Sequence, residues 1–138
     1  MANNITKPLH VGISVTDMER SLKWYKEVLG FDTVLKDFYA PPLGARLVFI
    51  SHNSGFEIEL FQYDNPKLQS DERRTPTTDL QTTGNKHLAV QTNDMQAFKA
   101  NFVALGGDIA HEVTMDGESV MFIRDPDGAL IEVIEPAK

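Results

Sequence analysis

The sequence predicts an α+β fold of two paired βαβββ modules. Three observations carry the prediction. The segment His10-Val11-Gly12-Ile13-Ser14-Val15-Thr16-Asp17-Met18 returns as His87-Leu88-Ala89-Val90-Gln91-Thr92-Asn93-Asp94-Met95, with Asp-Met at the same distance from the His. The later halves of the copies also match: Val48-Phe49-Ile50, Gly55 and Ile58-Glu59-Leu60 correspond to Val120-Met121-Phe122-Ile123, Gly128 and Ile131-Glu132-Val133, and from Phe49 to Leu60 the offset needs no gap. An internal repeat decides architecture before any single element does. Finally, the apolar period switches between two and helical spacing in the same order in each copy.

In the first copy, Leu9 to Thr16 alternates, with Val11, Ile13 and Val15 on one face and His10, Gly12 and Ser14 on the other. This is the pattern of a half-buried strand. Thr16-Asp17-Met18-Glu19, a Thr with Glu three residues on, reads as a helix start. Met18, Leu22, Tyr25, Val28 and Leu29 follow at helical spacing, and Gly30 is a suitable stop. Phe31 to Phe38 reads as a strand, broken by Ala40-Pro41-Pro42-Leu43-Gly44. Arg46 to Ser51 and Phe56 to Tyr63 are two further strands, joined by His52-Asn53-Ser54-Gly55. The first module thus spans about 8–63.

Asp64 to Asn85 has two Pro, many Thr and few apolar residues, and is expected to link the copies. The second module, about 86–136, repeats the plan. Lys86 to Thr92 is a strand, and Asn93 or Asp94 caps a helix with apolar positions Met95, Phe98, Phe102 and Leu105, ended by Gly106-Gly107. Ile109 to Thr114, Ser119 to Arg124 and Ala129 to Glu135 are strands, with turns at Asp116-Gly117 and Asp125-Pro126-Asp127-Gly128. The two modules are expected to form a single domain.

A length of 138 residues is enough for a real core, and 41% hydrophobic with 24% charged residues is the balance of a soluble globular chain. The net charge of −7 argues against nucleic acid and anionic membrane as partners, since both select clustered Lys and Arg. No apolar run reaches the length of a membrane span, and Met1 to Lys7 lacks the apolar centre of a signal peptide. Without Cys there is no disulfide and no thiolate chemistry, which fits a cytoplasmic protein and limits any metal to nitrogen and oxygen donors.

Alternation places His10, Glu59, His87 and Glu132 opposite the apolar rows of their strands, facing away from the helices. Any one of them alone would normally be a solvated surface residue. Jointly, each strand type repeats one ligand chemistry across the duplication. Two imidazoles and two carboxylates suit Ni, Zn, Fe, Co or Mn better than an ion that prefers only oxygen. A divalent ion would leave the site near neutral, and open positions could chelate two neighbouring substrate oxygens while a carboxylate moves a proton. Glu57 shares the face but has Leu130 as its counterpart, so it reads as solvated; His52 and His111 read as surface histidines, and Trp24 as packing. No Ser elbow, phosphate loop or dinucleotide fingerprint is present.

Three segments carry a resemblance to the vicinal oxygen chelate superfamily, which includes glyoxalase I, methylmalonyl-CoA epimerase, ring-cleaving dioxygenases, fosfomycin-resistance transferases and bleomycin-resistance proteins. They are His10 through Met18-Glu19-Arg20-Ser21-Leu22-Lys23-Trp24-Tyr25 to Val28-Leu29-Gly30-Phe31, then Lys86-His87-Leu88-Ala89-Val90, then Asp125-Pro126-Asp127-Gly128 with Ile131-Glu132. The resemblance implies the glyoxalase/bleomycin resistance/dioxygenase fold, with metal ligands His10, Glu59, His87 and Glu132. A His, Glu, His, Glu set matches bacterial glyoxalase I, a lactoylglutathione lyase that isomerises the hemithioacetal of a 2-oxoaldehyde and a thiol through a metal-bound enediolate. Such an enzyme detoxifies methylglyoxal, and Glu132 would be its proton-shuttling base. A divalent ion, Ni or Zn foremost and Fe, Co or Mn as alternatives, is the implied cofactor.

Glyoxalase I carries a glutathione-holding Arg where this chain has Ser14 and an Asn where it has Tyr63. The resemblance therefore implies kept metal chemistry with an altered grip on the thiol, whether glutathione or another. Phe38, Tyr63 and Phe122 are candidate pocket residues beside Ser14. The small-molecule site in this superfamily lies within one chain or across a dimer, and a homodimer is expected. Other superfamily reactions (epimerisation, ring cleavage or other dioxygenation, thiol transfer) and non-catalytic binding are the alternatives. Four retained ligands speak against mere binding, and a fourth ligand at Glu59 against oxygen activation.

Overall fold

The computed structural model describes residues 3–138, which divide into two compact units, one up to Pro66 and one from Lys67 to Lys138. The first contains β1 (His10–Ser14), α1 (Met18–Leu29), β2 (Thr33–Ala40), β3 (Ala45–Ser51) and β4 (Glu57–Tyr63). The second contains a 3-10 turn (Asp71–Arg74), α2 (Pro76–Gln81), β5 (Leu88–Gln91), α3 (Met95–Ala104), β6 (Asp108–Met115), β7 (Glu118–Arg124) and β8 (Leu130–Glu135). The sheets have the orders β1-β4-β3-β2 and β5-β8-β7-β6, with the first and last strands of each module parallel and the other pairs antiparallel. This is the expected α+β architecture of two βαβββ modules.

Each helix closes over the apolar face of its own sheet. In the first unit Met18 and Tyr25 are buried with Val15, Val48, Ile50, Ile58 and Leu60; in the second, Met95 and Phe102 are buried with Met121, Ile123, Ile131 and Val133. The helix starts are capped by Asp17 and Asp94, whose carboxylates accept from the N–H groups of Arg20 and Ala97. Asp17, not Thr16, is therefore the cap of α1; the Thr16 hydroxyl accepts from Arg20 Nη2 instead. A second orphan N–H at each start is satisfied from the last strand, Met18 N donating to Gln62 Oε1 (2.6 Å) and Met95 N to Glu135 Oε2 (3.1 Å).

The stretch 64–85, expected to link the copies, belongs to the second unit from Lys67 onward. Asp79 of α2 is 1% exposed, and its charge is met by Arg73 Nε at 3.3 Å and Lys86 Nζ at 3.6 Å. Arg124 Nε on β7 donates to the Arg74 carbonyl at 2.8 Å. These contacts fix the segment against the second sheet, although its composition carries no strong periodic signal.

The two copies differ in length at only two places between these helices and last strands. Residue numbers differ by 77 from His10/His87 through Met18/Met95, by 75 at Val34/Ile109 and by 73 from Phe49/Phe122 onward. The first step arises because α1 has 12 residues and α3 has 10. The second arises because four residues, 41–44, separate β2 from β3, whereas only Asp116-Gly117 separate β6 from β7. Between these points even the irregularities are repeated: a β-bulge lies between Val34 and Lys36, and another between Ile109 and His111.

Two measurements probe this packing. A Cβ at Gly107 would lie 2.5 Å from three atoms of the Phe102 ring, which is 1% exposed and has nowhere to move. Gly107→Ala is expected to lower stability by about 1–3 kcal/mol in denaturant unfolding. On the surface, Arg46 joins Asp37 and Glu19, and its guanidinium beside Asp37 holds that carboxyl below its ordinary value. A lowered folded pKa stabilises above the unfolded value and is lost as pH falls through the folded one. The stability difference between wild type and Asp37→Asn should thus be small, constant near neutrality, and vanish once pH falls below the carboxylate range.

Candidate metal centre

The four candidate ligands meet as two pairs, one on each sheet. Parallel pairing sets Gly12 directly opposite Glu59, and Ala89 opposite Glu132. His10 and His87 stand two residues before Gly12 and Ala89, so each His reaches its Glu along the diagonal of the sheet. The residue between them carries no side chain in one copy and a methyl in the other. His10 Nε2 lies 2.9 Å from Glu59 Oε2, and His87 Nε2 lies 2.6 Å from Glu132 Oε2. All four side chains are partly buried. His87 lies just before β5, because the ladder begins at Leu88 rather than at Lys86 as expected. Among the described residues no group of three or more His, Asp or Glu lies together as a metal cage.

A third residue completes each pair. Phe49 is opposite Glu59 on β3, and its ring receives His10 edge-to-face at 5.4 Å and 88°. Phe122 is opposite Glu132 on β7, and meets His87 at 5.2 Å and 87°. Both rings pack edge-to-face against an imidazole, which favours one rotation of its side chain. Phe122, a pocket candidate by sequence, is 7% exposed and lies against His87. Phe49 was not anticipated as part of the site, yet the constant offset of 73 assigns it the place of Phe122.

The donor set fits a divalent ion. Two donors bound at right angles at about 2.1 Å lie about 3.0 Å apart, close to the His10–Glu59 separation of 2.9 Å. The His87–Glu132 contact of 2.6 Å is that of a charge-assisted hydrogen bond and must open slightly to admit an ion. Nδ1 of His87 is buried and, among the described residues, makes no hydrogen bond. A metal-bound imidazole usually gives that nitrogen a partner, so here Phe122 supplies the orientation instead.

The remaining pocket candidates share the face that carries His10 and Glu59. Register aligns Ser14, Phe61, Leu47 and Phe38 in one row across the sheet, and Tyr63, Ala45 and Ala40 in the next. The bulge in β2 decides which aromatic is presented. Without it, simple alternation from Thr33 would turn Tyr39 to this face; with it, Phe38 is turned there, and the Tyr39 hydroxyl donates to Asp64 at 2.7 Å, which pushes the phenol's pKa up.

His52 is not an ordinary surface histidine. Its Nδ1 accepts from the Ser54 N–H at 3.0 Å, and its backbone closes the turn through Phe56 and Gly55. Asp125, its counterpart, accepts through Oδ1 from Asp127 N–H and closes the same backbone bonds with Ala129 and Gly128. An imidazole nitrogen therefore does in one copy what a carboxylate oxygen does in the other. The His52 ring also covers Gly30 and lies 5.6 Å from that of Phe31.

Comparison with known proteins agrees with this fold. The model of the Glyoxalase/Bleomycin resistance protein/Dioxygenase superfamily matches residues 7–133. The lactoylglutathione lyase of Haemophilus influenzae is 31% identical over 134 residues, covering 92% of this chain and 90% of that protein. The lactoylglutathione lyase GLX1 of Arabidopsis thaliana is 30% identical over 136 residues; the chain spans 43% of its length and 92% of its own. Among solved structures, the trypanothione-dependent glyoxalase I of Leishmania major superposes with a TM-score of 0.73 at 28% identity, over 94% of this chain and 86% of that one. No described helix is long and apolar enough to cross a membrane.

The aromatic support of each imidazole is open to test. Phe122→Leu keeps an apolar side chain but loses ring volume at a buried position, and should cost about 0.5–3 kcal/mol in stability. It removes the edge-to-face contact, so the His87 side-chain resonances should show averaging between rotamers that is absent in wild type.

Proposed function

As the chain belongs to the Glyoxalase/Bleomycin resistance protein/Dioxygenase superfamily, we propose that it is a metal-dependent lyase of glyoxalase I type, acting on the hemithioacetal of a 2-oxoaldehyde and a thiol. The observation that carries this reading is the duplicated His–Glu diagonal, present with the same register and the same aromatic support in both modules. Relatives named lactoylglutathione lyase at 30–31% identity support it.

His10, Glu59, His87 and Glu132 would hold a divalent ion, with Ni or Zn foremost. Such an ion supplies Lewis acidity to two neighbouring substrate oxygens. The chain's own residues do the rest. Phe49 and Phe122 keep the two imidazoles oriented, so the nitrogen donors are nearly in place before the ion arrives. Glu132 takes the proton from the substrate carbon bearing sulfur and returns it to the neighbouring carbon. One carboxylate suffices, because the isomerisation moves a proton without net loss. Its side chain is only partly exposed, which would slow exchange of that proton with water.

The thiol portion faces Ser14, Phe38 and Tyr63 rather than an Arg and an Asn. Its binding therefore rests on apolar contact and few polar groups. That a related glyoxalase I is trypanothione-dependent supports a thiol grip that varies around kept chemistry. Each module carries two donors on its own sheet, so a second copy of the chain can complete the set. On this reading the protein is a homodimer in which His10 and Glu59 of one chain serve with His87 and Glu132 of the other.

Apo protein reloaded with Ni or Zn should isomerise the methylglyoxal–glutathione hemithioacetal, followed by absorbance of the thioester. No turnover by protein proven to hold metal would overturn the lyase reading. Glu132→Gln should lose at least about 1,000-fold in kcat, within the range for losing a general base together with a metal ligand, while retaining part of the bound metal; near-normal turnover would remove Glu132 as the base. His10→Ala and His87→Ala, each inactive alone, should recover activity when mixed, and failure to do so would place each site within one chain.

A further inference from the structure

We propose that Lys36 on β2 is an anion-binding subsite, which selects substrates whose thiol portion carries a carboxylate; the inference rests on the lyase reading for the identity of the substrate. Lys36 is opposite Phe49, Phe49 is opposite Glu59, and Glu59 is opposite Gly12, so one straight row across the first sheet joins the ammonium group to the His10–Glu59 pair. The ammonium nitrogen stands over the Phe49 ring, 5.6 Å from its centroid, while the His10 ring meets the same Phe49 at 5.4 Å. Among the described residues it makes no ion pair.

The placement is built rather than incidental. Alternation from Thr33 would turn Lys36 toward α1, and only the bulge at Leu35 brings it to the face of the candidate ligands. The second module repeats the bulge, and the residue it re-aims is His111, opposite Phe122 and in a row with Glu132. A nitrogen-bearing side chain therefore occupies the same address in both copies, and His111 is not an arbitrary surface histidine. Asp37, the neighbouring carboxylate, points to the other face and is neutralised by Arg46. Glu57 lies one row away, beyond Ser51.

The chemistry follows from charge and distance. With two carboxylates offset by a divalent ion and Glu57 a row away beside His10, Lys36 is the cation in the row of Glu59, so it offers an anion a local positive charge there. Two strand spacings, about 10 Å, separate its backbone from that of Glu59. A carboxylate several bonds from the reacting carbons fits that span. The competing reading is that Lys36 only guards an edge strand against pairing with other chains, since β2 is the outer strand of its sheet. That role predicts no ligand preference.

The test uses the nickel-loaded full chain and calorimetric titration with S-methylglutathione and with its diethyl ester. Wild type should bind the anionic ligand about tenfold more tightly than the ester, with the preference shrinking as salt is raised. Lys36→Ala and Lys36→Gln should bind both alike, and Lys36→Arg should keep the preference. A preference retained in Lys36→Ala, or absent from wild type, overturns the subsite whatever the turnover. A Lys36-dependent preference without isomerisation of the methylglyoxal adduct establishes the subsite and overturns the lyase reading alone.

Discussion

The parallel pairing of the first and last strands in each module is the constraint on which the other features depend. A side-chain period of two means that a slip of one residue would turn every side chain to the opposite face. The register that places Gly12 against Glu59 also buries Ile58 and Leu60 under α1, brings His10 onto the diagonal, and delivers Gln62 to the first N–H of that helix. The second module obeys the same register with Ala89, Glu132, Ile131, Val133 and Glu135. Core, helix cap and candidate ligands are thus one decision, made twice, and no ligand can shift along its strand without exposing apolar side chains.

Much of this was legible in the sequence because it follows from periodicity. The helices α1 and α3, the eight strands and the faces of the four candidate ligands all read from alternation and helical spacing. What alternation misses is any place where the period breaks. The bulges at Leu35 and Ala110 insert one residue each, and beyond them alternation gives the wrong face; this is why Phe38 rather than Tyr39 is presented beside Ser14, why Lys36 drew no attention, and why His111 read as a surface histidine. The contacts of 67–85 depend on a buried charge, Asp79, whose partners are spread over a dozen residues and leave no local pattern. His52 was misjudged for a different reason: its role is set by the backbone of a turn, and its counterpart Asp125 does the same work with different atoms.

The site combines a strict part and a permissive one. The strict part is the His, Glu and Phe triplet of each sheet, whose members occupy adjacent strands and constrain one another through distance and ring geometry. The permissive part is the rest of the face, where Ser14, Phe38 and Tyr63 make no such mutual contacts. Substituents on the permissive part can change without disturbing the His–Glu pairs.

The two length differences between the copies have a consequence for engineering. They lie at the far end of the helix and at the hairpin between the second and third strands, and each has absorbed two residues while every address from Phe49 to Leu60 kept its partner in the other copy. The chain has in effect run its own insertion experiment. Residues 41–44 and the end of α1 are therefore natural ports for grafted loops or tags, whereas a single residue added within β3 or β4 would change the parity of the strand and exchange its wet face for its dry one.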